Sequence, residues 1–294
     1  NMLNTYVVEG GVGKCCAFTA LLPKLREKGE VQIYTPYIDC FRGNPNVKLA
    51  LESTLPLQDP RIMASNNIFY CEPYKSNFQF GKQHLIESYC EHHDVKFDTT
   101  MVPKLYTDHH QESVKKWLDD NKIGKYIMIQ FSGGQPKWNY ADGVQYQNIN
   151  PNRNYQPFLA QEVINMLLEE YKDTTIINCV LPNEPHYQGT LRCDLHWAQI
   201  HELLKGAIGF VGIDSSLQHM SASTKTPGVV IWGSTRWIQF GYTHNKNLHF
   251  HMKKRWDETK FNDSDPRNNM VDSRRVIDTF KKLDRIDQVE TSTI

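Results

Sequence analysis

Between residues 125 and 232 the chain alternates short apolar runs with amphipathic ones, and that alternation admits few folds. "KYIMIQF", "TTIINCVL", "IGFVGID" and "PGVVIWG" have the pattern of buried strands, while "FLAQEVINMLLEEY", "DLHWAQIHELLKGA" and "SLQHMSASTK" repeat apolar residues at helical spacing. Strands this uniformly apolar are covered on both faces, and a helix after each strand returns the chain for a parallel neighbour. The expectation is an α/β fold with a parallel sheet between helices. The first 35 residues repeat the theme: "TYVVE" is a strand, Phe18, Leu21, Leu22 and Leu25 form a helical stripe that stops at Lys28-Gly29, and "VQIYT" is a second strand. A turn-rich region with "RGNPNV" and "LQDPR" precedes a strand in "NIFYCEPY" and helices in "GKQHLIESYCEHH" and "ESVKKWLDDN". Residues 139–157 are polar and rich in Asn and Tyr, long enough for a functional loop. "SRRVIDTFKKLDRI" reads as a last helix. Two Rossmann-like units are therefore expected, at 1–123 and 124–272, with a helix and tail at 273–294.

The totals exclude some classes. Lys+Arg and Asp+Glu both number 33, so no bulk charge advertises nucleic acid or a membrane surface. The longest apolar runs fall well short of the ~20 residues that span a bilayer. Asn1-Met2-Leu3-Asn4 lacks the basic and apolar segments of a signal peptide, so no transmembrane segment and a cytoplasmic location are expected. Seven cysteines, an odd number without regular spacing, fit reduced thiols better than a disulfide framework or a zinc site.

"TYVVEGGVGKCC" approaches a phosphate-cradling P-loop but lacks its parts. Val8 stands where the first glycine belongs, and Cys15 replaces the hydroxyl that holds Mg²⁺, a cation that prefers oxygen ligands. The glycines still allow a tight turn at the carboxyl end of a strand, where open α/β sheets take ligands. A glycine turn with no ligand is the alternative.

The densest cluster lies in "IGFVGIDSSLQHMSASTKTPGVVIWGST", residues 208–235. A buried strand delivers Asp214, Ser215 and Ser216 to its carboxyl end, where a helix starts. The unpaired N–H groups and partial positive charge of a helix start suit a phosphate. Ser215 and Ser216 add hydroxyls, and His219 follows within the first turn. Taken singly, Asp214 or Ser215 could be an ordinary N-cap and His219 a core histidine.

This stretch resembles the signature of the glycosyltransferase family that contains the lipopolysaccharide heptosyltransferases. The correspondence runs through Asp214 to His219, Ser221-Ala222-Ser223, Thr226-Pro227 and Gly233-Ser234-Thr235. "FSGGQPKW" is similar to that family's donor-side loop, which implies donor roles for Ser132, Gly133, Gly134 and Lys137. "VLPNEPHY" resembles its carboxylate-bearing strand end and points to Glu184. "GGVGKCCAFTALLPKL" resembles its acceptor-side loop, with Gly10, Gly11 and Gly13. The resemblance implies a GT-B fold, two Rossmann-like domains facing a cleft, and inverting transfer from a nucleotide-sugar with neither metal nor other cofactor. Two residues depart from the pattern. Lys14 stands where the family carries an aspartate as candidate base, which leaves Glu9, Asp39 and Lys14 itself as catalytic candidates, with Glu9 preferred. Ser216 replaces a glycine beside the phosphates.

Other strings carry less. Asp263-Ser264-Asp265 spells a metal-and-nucleotide motif but sits in a polar run and reads as a turn. The histidine pairs in "EHH" and "DHH" read as surface decoration. "HFHMKKRW" interleaves bases with aromatics, as grooves for nucleic acid or sugar phosphate do, or is an edge strand. The acceptor is accordingly a glycan or a hydroxylated DNA base. The rival class is a nucleotide-sugar-binding protein that has lost turnover.

Overall fold

The computed structural model describes residues 1–74, 76–133, 136–139, 144–147, 153–180, 184–250 and 270–283. The amino-terminal half runs β1 (Leu3–Val7), α1 (Val12–Phe18), α2 (Leu22–Glu27), β2 (Glu30–Thr35), β3 (Leu49–Glu52), α3 (Pro60–Met63) and β4 (Asn67–Tyr70). These strands form a parallel sheet in the order β3-β2-β1-β4. β1 starts earlier than "TYVVE" suggests and ends at Val7, because the chain turns through Gly10 at φ +100°. β3, hidden in the turn-rich region, is a four-residue edge strand too short to show a period.

Helices α4 (Ser76–Gln79), α5 (Leu85–His92) and α6 (Gln111–Asp120) lead to the second half. α5 begins four residues later than its apolar pattern, since the His84 ring accepts a hydrogen bond from the Ile86 N–H at 3.1 Å and caps it. One surface expectation fails here. His93 is buried against Tyr6 and Phe18, with centroids at 5.4 and 5.6 Å, while His92 turns out to meet the Tyr70 carbonyl. Two neighbouring ring positions at a helix end point apart, and one of them falls on the core.

The carboxyl-terminal half runs β5 (Lys125–Gln130), β6 (Pro136–Asn139), β7 (Val144–Gln147), α7 (Pro157–Glu170), β8 (Thr174–Asn178), β9 (Leu191–Arg192), α8 (Trp197–Leu204), β10 (Phe210–Ile213), α9 (Ser216–Thr224), β11 (Gly228–Trp232), α10 (Trp237–Phe240), β12 (Lys246–His249) and α11 (Ser273–Phe280). Part of the expected polar loop is an antiparallel hairpin, β6 with β7. The main sheet is parallel, in the order β12-β11-β10-β5-β8-β9. Strands that follow β5 are added first on one side and then on the other, which is the doubly wound order of dinucleotide-binding folds. The α/β expectation holds in both halves. No helix among the described residues is long and apolar enough to cross a membrane.

One apolar core joins the halves, running from Phe18, Leu21 and Tyr89 to Leu217, Met220 and Trp232. A second lies under α7 and α11, with Ile127, Ile164 and Phe280. The halves also meet through buried polar groups. The Thr107 hydroxyl donates to Glu202 Oε2 at 2.9 Å, so it accepts from His201 Nδ1–H at 2.6 Å. Ser223 Oγ, which accepts the Leu105 N–H, then donates to His201 Nε2 at 2.9 Å. That chain of donors fixes a neutral imidazole. Most intimately, α1 packs on α9 at Gly13, where an added Cβ would stand 2.6 Å from His219 Cδ2.

Two predictions follow from this packing. Gly13→Ala wedges α1 from α9 and destabilises the protein by about 1–3 kcal/mol, measured by denaturant unfolding; an unchanged midpoint contradicts the close approach. Burial lowers His201 and His219 to about 3 and His84 and His244 to about 4, against 6.5 for an open histidine. Below pH 6.5 the unfolded chain therefore takes up protons that the folded chain refuses, so stability is full above that pH and declines as pH falls toward 4. The unfolding free energy measured from pH 7 to 5.5 should fall with a slope approaching about four protons, and His201→Gln should remove about one of them.

Candidate donor site and facing acceptor loop

A doubly wound sheet opens a crevice where its strand order reverses, at the carboxyl ends of the two central strands. In the second half those strands are β5 and β10. β5 ends in Phe131-Ser132-Gly133 and β10 in Asp214-Ser215, and the two ends touch: a Cβ on Gly133 would lie 2.4 Å from Ser215 Oγ. Only glycine permits that approach. The Gly133 N–H donates to Asn154 Oδ1 at 3.1 Å, which ties down the loop. β11 adds Ser234 and Thr235 from its own end.

Asp214 and Ser215 are not ordinary N-caps. Ser215 is the N-cap residue of α9 but makes no side-chain capping bond. Asp214 Oδ2 instead accepts the Thr235 hydroxyl at 2.6 Å, a bond between two strand ends. Within the first turn, the Leu217 N–H donates to Gln130 Oε1 at 3.1 Å. The hydroxyls of Ser132 and Ser234, on residues 5% and 4% exposed, have no partner among the described residues. Buried hydroxyls are normally paired, so two left open at the strand ends on either side of β10 mark a place for ligand oxygens.

The charges are arranged around that place. Burial raises the Asp214 carboxyl, while Arg153 and the Thr235 bond pull it down. His219 is lowered to about 3 by burial, with His84 and Arg153 adding to the effect, so its ring is neutral. Tyr242 keeps its proton through burial and meets His219 Nδ1 at 2.9 Å. With Tyr242 donating there, the ring carries its proton on Nε2, 4.0 Å from Asp214 Oδ1. His219 thus offers a neutral donor and not a cation. The cation is Arg153, half-buried, with Nε lacking a partner among the described residues and its charge felt at Asp214, His219 and Tyr74.

The sequence names Ser234 only as part of the matched motif and does not single out Arg153. Arg153 stands in the polar stretch 139–157, which was marked as functional only by its length. Ser234 fell within the matched motif, and nothing about a single serine announced an open hydroxyl. Glu184 is buried at 9% exposure beyond β8, where burial, with the charge of Glu184 adding to it, raises Tyr187 to about 12. Lys137 is placed on β6, and Gly134 lies outside the described residues. So do Asp263-Ser264-Asp265 and most of "HFHMKKRW".

The amino-terminal loop comes up against this site from the other half. Gly11 is the N-cap residue of α1 and Gly13 lies on His219. Cys15 points into the core, its sulfur 3.5 Å from the Thr35 hydroxyl, where no magnesium ligand is wanted. Lys14 Nζ sits 3.9 Å over the Tyr74 ring. Burial lowers the Lys14 ammonium, opposed by Glu72 first and by Cys15 and Glu9 after it. Glu9 is exposed at the end of β1. Asp39 is drawn aside by Arg42 at 3.1 Å and faces His110. The structure therefore gathers Lys14, Gly13, Asp214, Ser215 and His219, and leaves Asp39 with other partners.

Comparison with known proteins agrees with this geometry. Residues 172–270 match the family model described as glycosyltransferase family 9 (heptosyltransferase). No curated protein matches the sequence. Among solved structures, the E. coli ADP-heptose lps heptosyltransferase II superposes with a TM-score of 0.68 at 11% identity, over 98% of this chain and 100% of that one. A family 9 glycosyl transferase from Veillonella parvula gives 0.63 at 9% identity, over 95% and 96%. The iron-containing dodecameric glycosyltransferase TibC of enterotoxigenic E. coli gives 0.62 at 14% identity, over 100% and 77%. Identities this low speak for the fold, and the family match adds the kind of chemistry. Taken together with the crevice at β5 and β10, they show a chain of GT-B fold whose residues 172–270 are similar to the glycosyltransferase domain of the heptosyltransferase family.

Proposed function

We propose that the chain moves a sugar from a nucleotide-sugar to a hydroxyl, with inversion at the anomeric carbon and without a bound metal. The observation that carries this reading is the strand-end cluster of the second half: open hydroxyls on Ser132 and Ser234, the start of α9 at Ser215, and the Arg153 charge beside them. A diphosphate there would take its hydrogen bonds from the serines, from Gly133-Ser215 and from Lys137. Arg153 would offset the charge that grows on the leaving nucleoside diphosphate, a task metals perform elsewhere. Glu184 would hold sugar or ribose hydroxyls. Residues 1–123 form the acceptor side and 124–272 the donor side. TibC is described bound to ADP-D-beta-D-heptose and the heptosyltransferase WaaC bound to ADP, which makes an ADP-heptose the first donor to try. The seven unbridged cysteines suit a reducing, cytoplasmic setting.

For the acceptor, a glycan hydroxyl is the reading kept. Basic residues on and just after α11, which would suit DNA, are partly engaged within the fold: Arg275 donates to the His249 carbonyl at 3.0 Å and Lys281 pairs with Glu170 at 3.0 Å.

Incubation with ADP-, GDP-, UDP- and CDP-sugars should release one nucleoside diphosphate slowly, and faster with glycan acceptors. Arg153→Ala should lower that rate about 10²- to 10³-fold, and EDTA should leave it unchanged. Stabilisation by a nucleotide-sugar with no release under any condition points to a binding protein; loss of rate in EDTA removes the metal-free part.

A further inference from the structure

The amino-terminal sheet has a strand-order reversal of its own. In β3-β2-β1-β4, the strands after β1 are laid to one side and β4 to the other, so its crevice lies at the carboxyl ends of β1 and β4. β1 opens into the glycine loop and Lys14. β4 opens into Cys71-Glu72-Pro73-Tyr74. This second crevice holds a carboxylate that the reading of the sequence did not single out.

We propose that Glu72 is the general base that takes the acceptor proton. The inference rests on the transferase reading above. Glu72 is exposed, and its Oε1 accepts the Tyr74 N–H at 2.8 Å, which fixes the carboxylate at the strand end. The Tyr74 ring carries the Lys14 ammonium on its face at 3.9 Å. Glu72 is the leading negative charge acting on that ammonium, ahead of Glu9. Tyr74 also spans the cleft: its hydroxyl, raised to about 12 by burial, feels Asp214 and Glu72 together, with Arg153 opposing. Glu72, Lys14 and Tyr74 on one side therefore face Asp214 and Arg153 on the other.

That wall is held across the two halves. Phe78 packs on Tyr74 at 5.3 Å and on Phe240 at 5.4 Å, Gln239 Nε2 donates to the Phe78 carbonyl at 2.7 Å, and His84 Nε2 meets the Gly241 carbonyl at 2.8 Å. The burial that keeps the His84 ring neutral makes Nε2 the donor there, since Nδ1 accepts from Ile86. A base on this segment is thus positioned by donor-side residues.

The step balances simply. The acceptor O–H bond breaks and its proton passes to the Glu72 carboxylate. The oxygen pair forms a bond to the anomeric carbon, whose bond to the diphosphate breaks with its electrons leaving on the phosphate oxygen. Glu72 then returns the proton to solvent. The Lys14 ammonium, set on the Tyr74 ring, supplies a positive charge on the same side of the cleft as the carboxylate.

The test is steady-state transfer by Glu72→Gln and Glu72→Asp, with donor binding followed separately by calorimetry using the nucleoside diphosphate. Glu72→Gln should lower kcat about 10²- to 10⁴-fold while the diphosphate binds as tightly as to the unaltered protein, and Glu72→Asp should recover part of the rate. Wild-type rates in Glu72→Gln, or a comparable loss in Glu9→Gln with Glu72→Gln still active, overturn the assignment and leave the transferase reading standing. An unaltered protein that neither binds a nucleoside diphosphate nor releases one from any donor overturns both.

Discussion

The contact of Gly13 with His219 is the constraint on which the site depends. It brings the first helix of one sheet onto the helix that starts at the crevice of the other, so the two strand-order reversals look at each other. A methyl group at position 13 would occupy the space of the imidazole edge. His219 is in turn held by Tyr242, whose ring also meets His84 at 5.3 Å. The helices do not merely touch. They lock through a buried, neutral ring.

Charge is distributed with the same economy. Around the crevice of the second half the buried Asp214 carboxylate feels the charge of Arg153, with a histidine kept neutral between the halves. A protonated His219 would add a second cation, but burial among apolar side chains makes that form costly. Asp214 spends one oxygen on Thr235 and so ties β10 to β11. With that oxygen engaged, the hydroxyls of Ser132 and Ser234 remain open among the described residues.

Much of this was legible in the sequence, for a physical reason. Buried parallel strands must be apolar throughout, so "KYIMIQF" and "PGVVIWG" announce themselves, and the crevice then follows from strand order. Asp214, Ser215 and His219 were found because three polar types interrupt an apolar strand end together. Arg153 and Glu72 carry no such signal, and Ser234 only its place in the motif, because the meaning of each comes from a strand end elsewhere in the chain. β3 escaped for its brevity, and His93 because only the tertiary fold decides which of two adjacent rings meets Phe18. Lys14 shows the limit of pattern: its place in the loop was clear, but its partner across the β4 end was set by sheet topology alone.

The central claim is that the diphosphate of a nucleotide-sugar sits at the meeting of β5 and β10 and not in the glycine loop after β1. A crystal structure of the protein with a bound nucleoside diphosphate measures this directly. The phosphates are expected between Ser132-Gly133, Ser215 and Arg153, with His219 Nε2 nearby. Phosphates lodged instead on Gly10 to Lys14, or away from both strand ends, would contradict the account.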